Sequence, residues 1–89
     1  MSPYIVKVEP LADQLLSIEF NDGETRIKDL KPVIARGNLA APLMDSAFLR
    51  QVQIHDRGRS LLWPNGLEFC ADALWLQGQK VEKNAKEYA

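Results

Sequence analysis

The side chains that could do chemistry in this chain are few and far apart. His55 is the only histidine and Cys70 the only cysteine. A zinc site built from His and Cys needs several ligands close together, and the strand register predicted below puts these two on opposite faces. Cys70 is expected on an apolar face beside Ile54 and Leu61, where a free thiol behaves as a small hydrophobic group. We therefore predict no metal and no other cofactor.

Two aspartates, Asp29 and Asp72, could supply paired carboxylates for acid–base catalysis or for a hard cation. Each stands six residues after the glycine of a turn motif, where a strand gives way to a turn or helix. Capping of that turn or helix by the side chain is the favoured interpretation. The sequence also contains no nucleophile motif, phosphate-binding loop or dinucleotide fingerprint, so we predict that the protein is not an enzyme.

A surface patch is the remaining candidate site. Glu68 is expected across a strand pair from Trp63, and Arg50, Arg57 and Arg59 form the only local basic cluster. An aromatic anchor among charged groups can recognise a protein partner, and the arginines could meet an acidic partner or a phosphate. The alternative is that Glu68 lies at the sheet margin and that the arginines only keep the surface soluble.

Two related turn motifs must position these residues. Phe20-Asn21-Asp22-Gly23 and Trp63-Pro64-Asn65-Gly66 each place an aromatic residue three positions before a glycine. Asp22-Gly23 and Asn65-Gly66 are typical of two-residue type I′ turns, because both central residues of such a turn need positive φ. Both motifs therefore predict antiparallel β-hairpins.

A two-residue loop in each motif predicts the strand register. In the first hairpin Ile18 then faces Ile27 and Glu19 faces Arg26, which gives one apolar face and one charged face. In the second hairpin Leu61 faces Cys70, and Leu62 faces Phe69. The second unit would then be apolar on both surfaces, so that a helix, the other hairpin or a partner must cover one of them.

The whole pattern predicts an α+β fold of about six short antiparallel strands in hairpins or a meander, with one short central helix and a short C-terminal helix. Strands are expected at 5–9, 15–20, 24–30, 52–55, 60–63 and around Phe69, with Ile54 facing Leu61. Asp45 is the expected N-cap of the central helix, which would end at residue 50 or 51, and Asp72 that of a helix at 73–77. Residues 31–44 are expected to be irregular, apart from a single turn begun by Pro32.

Length and composition fit one small globular domain: 89 residues, 46% apolar and 26% charged, with a net charge of −1. We place the domain at 1–77 and expect the polar residues 78–89 to form a disordered tail or a frayed helix.

The near-neutral charge argues against a nucleic-acid surface. The sequence shows no apolar run of ~20 residues and no signal peptide, and it has a single cysteine, which favours a cytoplasmic protein that contacts no membrane.

Residues 3–76 resemble the bacterial family known as domain of unknown function 2442 (DUF2442). The resembling segments are residues 3–10, 16–24, 29–30 and 41–43, together with Phe48 and residues 54–74. The most specific among them is Trp63-Pro64-Asn65-Gly66, with Asp72 and Leu74 following Gly66 at six and eight residues.

The resemblance implies a small α+β domain without established catalytic residues. Some similar proteins carry an added helix-turn-helix domain, and others are encoded beside a second small protein, as in toxin–antitoxin pairs. We therefore expect a protein-interaction module that binds another copy of itself or the product of a neighbouring gene. The alternative is a regulator that contacts nucleic acid directly or through a partner.

Overall fold

Two antiparallel sheets and three short helices make up the computed structural model, which describes residues 2–80. The strands are β1 (Ile5–Leu11), β2 (Leu15–Phe20), β3 (Thr25–Asp29), β4 (Gln53–His55), β5 (Ser60–Leu62), β6 (Glu68–Cys70) and β7 (Gln79–Lys80). The helices are α1 (Lys31–Ala35), α2 (Ser46–Leu49) and α3 (Ala71–Gln77), and 3₁₀ turns lie at Ala12–Gln14, Asn38–Met44 and Asp56–Gly58. The predicted α+β class is confirmed.

The strand order brings the last described strand, β7, beside β3 of the N-terminal sheet. The first sheet has the order β1-β2-β3-β7 and the second has the order β4-β5-β6. Gln79–Lys80, which we expected in a polar tail, instead pairs with β3. The rest of that predicted tail, residues 81–89, lies outside the described residues.

Both glycine motifs form hairpins, but the predicted register of each is wrong by one residue. Ile18 lies opposite Arg26 and Ser17 opposite Ile27, while Leu61 lies opposite Phe69. The cause is a loop of three residues where two were expected. In the first hairpin the Phe20 N–H donates to the Glu24 carbonyl at 2.8 Å, and Gly23 has a φ of +86°, as in a type I turn followed by a glycine bulge.

The second hairpin uses the same loop, so the sequence repeat is a repeated turn. The Trp63 N–H donates to the Leu67 carbonyl at 2.9 Å. In each loop the side chain before the glycine accepts from the backbone N–H two residues later: Asp22 Oδ1 from Glu24 at 2.9 Å and Asn65 Oδ1 from Leu67 at 3.1 Å. The register predicted for the third pairing, with Ile54 opposite Leu61, is confirmed.

The shifted register puts Arg26 on the core-facing side of the first sheet, opposite Ile18. The predicted cross-strand pair of Glu19 with Arg26 is therefore wrong. Arg26 instead donates to Glu24 Oε1 at 2.8 Å and to the Gly78 carbonyl at 3.4 Å. Its guanidinium carbon lies 4.3 Å from the ring centre of Trp75, a cation–π contact that covers the charge with α3.

One hydrophobic core joins the two sheets. Leu16, Ile18 and Phe20 of β2 and Leu61 of β5 are at most 1% exposed. The remaining buried apolar residues come from β1, from α2 and α3, and from the segments between strands and helices: Ile5, Leu30, Ala40, Leu43, Leu49, Trp63, Ala71 and Leu74. The turn between β4 and β5 packs directly on β1, since a Cβ on Gly58 would lie 2.5 Å from the Ile5 carbonyl oxygen.

Candidate interaction surface

Trp63, expected as the aromatic anchor of a surface patch, lies in the core instead. It is 1% exposed, its indole N–H donates to the Leu49 carbonyl at 3.1 Å, and its ring meets that of Phe69 edge-on with centres 5.4 Å apart. A side chain so enclosed cannot enter a partner's pocket. Trp63 therefore stabilises the fold by joining the second hairpin to α2.

Glu68 lies opposite Leu62 and not opposite Trp63. Its Oε2 accepts a hydrogen bond of 2.6 Å from the hydroxyl of Ser60, which is 5% exposed. The bond ties β5 to β6 across one face of the second sheet. Glu68 also lines an open groove there with Asp56, Arg59, Ser60 and Cys70.

The three arginines of the predicted patch do not share one site. Arg59 lines the groove beside Glu68 and Asp56, whereas Arg50 lines a different groove with residues 10–14. Arg57 is exposed at the tip of the β4–β5 turn, with a φ of +57°. The basic cluster of the sequence is thus divided, and acidic side chains accompany Arg59.

Cys70 is exposed, so its expected burial on an apolar face is wrong. The corrected register also puts His55, Ser60 and Cys70 opposite one another in a row across β4, β5 and β6. His55 and Cys70 therefore share a face, contrary to the prediction. Even so, no group of three His, Cys, Asp or Glu side chains within residues 2–80 is arranged to hold a metal ion.

The aspartates act as local hydrogen-bond acceptors at the start of helices. Asp29 Oδ1 accepts from the Lys31 N–H at 2.9 Å and forms an ion pair of 3.0 Å with the Lys31 ammonium group. These two bonds lower the pKa of Asp29, the backbone bond most. Asp45 is the N-cap of α2 and accepts from the Ala47 N–H at 2.9 Å.

Asp72 does not occupy the N-cap position that was expected of it. Helix α3 begins two residues earlier than predicted, with Cys70 as its N-cap, and Asp72 lies inside the first turn. A carboxylate there still interacts favourably with the positive end of the helix dipole. Asp29, at the end of β3, and Asp72, in the first turn of α3, therefore act at the starts of two different helices.

An exposed apolar surface lies where the sequence predicted irregular structure. We call Leu39, Ala41, Pro42 and Met44 the apolar strip; all four are exposed. Leu39 is 51% and Met44 60% exposed, and no charged residue occurs from 37 to 44. Such a concentration of apolar side chains in water is typical of a contact surface.

The backbone of the apolar strip is fixed by two buried side chains and by a hydrogen bond at each end. Ala40 and Leu43, three residues apart as a 3₁₀ turn requires, are 3% and 0% exposed and anchor the segment in the core. The Asn65 side-chain amide donates to the Leu39 carbonyl at 2.9 Å. The Gln14 amide donates to the Met44 carbonyl at 3.3 Å. The exposed side chains are thus presented by a backbone that is already ordered.

Sequence reasoning missed the apolar strip because Gly37 and Pro42 were taken only as helix breakers. The available signal was the run of eight uncharged residues, 37–44, in a chain that is 26% charged. Which of them face outward depends on the packing of Ala40 and Leu43 into a core whose other members are remote in sequence, so periodicity alone could not have revealed it.

Comparison with models of known families matches residues 5–80 to the family described as "Protein of unknown function (DUF2442)". No curated protein and no solved structure matches the chain. Within the described residues, no helix is both long enough and apolar enough to cross a membrane.

Proposed function

The chain belongs to the DUF2442 family, and from that premise we propose that it is a protein-interaction module that acts by binding and not by catalysis. The observation that carries the proposal is the apolar strip. Exposed apolar patches bordered by polar groups are typical of protein contacts, and a surface held in its bound shape loses little entropy on binding.

The proposed partner is another protein, either a second copy of the chain or the product of a neighbouring gene, as in small two-gene pairs. Leu39 and Met44 supply the largest exposed apolar groups of the strip. Methionine suits such a role because its flexible thioether adapts to irregular surfaces. Apolar side chains exposed in this way favour a partner that presents apolar side chains of its own.

A regulator that contacts nucleic acid is the alternative, and the placement of the arginines favours it less. Phosphate binding needs cations gathered without competing anions. Arg59 shares its groove with Asp56 and Glu68, and Arg50 lines another groove. Binding to nucleic acid that weakens steeply with salt and is lost in the Arg57→Ala/Arg59→Ala double variant would support the alternative instead.

The test of the interaction proposal is a double substitution in the strip, Leu39→Ser/Met44→Ser. The tagged protein is co-expressed with the product of the neighbouring gene, and its mass in solution is measured by light scattering after size exclusion. We expect a complex, with itself or with the neighbour, that the double variant weakens at least ~10-fold, since each buried apolar side chain contributes about 1.5–3 kcal/mol.

The matched control is Leu76→Ser. Leu76 is 75% exposed on α3 and lies outside the strip, so this variant should associate like the wild type. A complex equally strong in the strip variant, or no complex with either partner at about 100 µM, would overturn the proposal.

A further inference from the structure

The two ends of the apolar strip carry opposite charges, and this arrangement points to the partner. Arg36 immediately precedes the uncharged run 37–44, and Asp45 immediately follows it. Both side chains are exposed. We propose that the strip binds the same strip of a second copy of this chain, with a two-fold axis crossing it near its middle. This inference rests on the proposed function and names the partner.

A two-fold axis makes the surface complementary to itself. Each copy runs opposite to the other, so Arg36 of one copy meets Asp45 of the partner copy at both ends, and the apolar side chains meet between them. An interface between identical patches needs this property. At ~2 Å per residue, the seven residues of the 3₁₀ segment span about 14 Å. A contact of ordinary size, ~800 Å² per partner, is roughly 28 Å across if it is square, so the segment fits within one.

The neighbouring charges leave this polarity in place. Lys31 and Asp29 pair with each other at 3.0 Å. Arg50 and Asp13, which carry opposite charges, line a common groove near the Met44 end. Arg36 has no ion-pair partner among residues 2–80. The Asp45 carboxylate accepts the Ala47 N–H through Oδ1, and its other oxygen can accept a further bond.

Surfaces of a single charge fit the strip less well than a second copy does. A nucleic acid or an anionic membrane would attract the Arg36 end and repel the Asp45 end. Like charges held together at an interface oppose binding. The polarity therefore favours a partner whose charge also changes sign along the contact, as the strip itself does.

The experiment uses one charge reversal at each end, Arg36→Asp and Asp45→Arg, in the full chain. Masses are measured by sedimentation over about 10–200 µM, the range in which micromolar association is visible. We expect the wild type to dimerise and each reversal alone to weaken dimerisation at least ~10-fold, because both ends then juxtapose like charges. An equimolar mixture of the two variants should dimerise again, since each contact regains one acid and one base.

Two further variants separate charge from folding. Asp45→Asn removes the charge but keeps a side chain able to cap α2, so it should weaken dimerisation less than Asp45→Arg while unfolding like the wild type. Arg57→Asp reverses an exposed arginine on the β4–β5 turn, outside the strip, and should dimerise normally.

Three outcomes overturn the inference: a wild-type monomer throughout the range, a dimer that tolerates both reversals, or a mixture that stays monomeric when each reversal alone has abolished the dimer. In the first case, strip-dependent binding of the neighbouring gene product would leave the proposed function standing. If the strip variant also binds that product normally, both proposals fail.

Discussion

At the scale of single residues, side chains that suggested chemistry prove to be parts of the scaffold. Trp63 seals the core, and the Ser60 hydroxyl ties Glu68 to the neighbouring strand. Asp29 holds the first turn of α1 through Lys31. The contact of Asp29 with Lys31 has a titratable consequence.

The acid sensitivity of the fold should include a contribution from Asp29. Its pKa is lowered on folding by the Lys31 backbone bond and then by the Lys31 side chain. A carboxyl whose pKa falls on folding stabilises the protein above its unfolded pKa, and this stability is lost as the pH falls through the folded pKa. We expect the Asp29 carboxyl carbon to titrate below its ordinary range by NMR.

The variant Lys31→Met should raise the pKa of Asp29 only part of the way to its ordinary value, because the backbone bond remains. The exposed Lys7 on β1 offers a control, and Lys7→Met should leave the titration of Asp29 unchanged. A normal pKa in the wild type would contradict the assignment.

At the scale of elements, two hairpins use one loop design, but only the second loop also holds the apolar strip. Asn65 accepts from the Leu67 N–H and donates to the Leu39 carbonyl. Asp22, at the equivalent place in the first loop, accepts from the Glu24 N–H, and a carboxylate cannot donate a second bond.

The two loops therefore allow a comparison. Asn65→Ala should lower the free energy of unfolding by about 1–2 kcal/mol through two lost bonds, and Asp22→Ala by about 0.5–1 kcal/mol through one. Asn65→Asp keeps the acceptor alone, so its effect should fall between that of Asn65→Ala and the wild type. Urea unfolding gives the energies, and faster exchange of the backbone amides near residue 39 in both Asn65 variants would identify the lost anchor. If Asn65→Ala and Asp22→Ala lowered the free energy of unfolding equally, the bond from Asn65 to the Leu39 carbonyl would not contribute to stability.

At the scale of the whole molecule, the two sheets meet where the β4–β5 turn rests on β1. Gly58 has a φ of +90°, and an added Cβ would lie 2.5 Å from the Ile5 carbonyl oxygen. Gly66 has nearly the same φ, +92°, but nothing lies within 4 Å of its Cβ position. Substitutions at Gly66 and Gly58 therefore distinguish the cost of backbone strain, present at both, from the cost of a clash between the turn and β1, present only at Gly58.

We expect Gly66→Ala to destabilise the protein by about 1–2 kcal/mol through strain alone. Gly58→Ala should cost more, about 3 kcal/mol or above, since backbone atoms must also move. Thermal unfolding of the two variants measures the difference. Equal melting temperatures would show that β1 and the turn separate without penalty.

The sequence predicted the α+β class and the existence of the hairpins because Asp-Gly and Asn-Gly accept positive φ. It could not predict their register, since a glycine with positive φ suits both two-residue and three-residue loops. The apparent match of Glu19 with Arg26 supported the shorter loop. The three-residue loop instead lets Arg26 lie beneath α3, where it contacts Trp75 and the Gly78 carbonyl. Both partners are more than forty residues from Arg26 in sequence.

The position of β7 has a consequence for synthesis of the chain. The first sheet takes its outer strand on one side from residues 5–11 and on the other from residues 79–80. A nascent polypeptide leaving the ribosome from its N-terminus can pair β1, β2 and β3 early, but β3 keeps an open flank until everything between has emerged. Closure of that flank is therefore a late event of biogenesis, and partly made chains expose a strand that other proteins can adhere to.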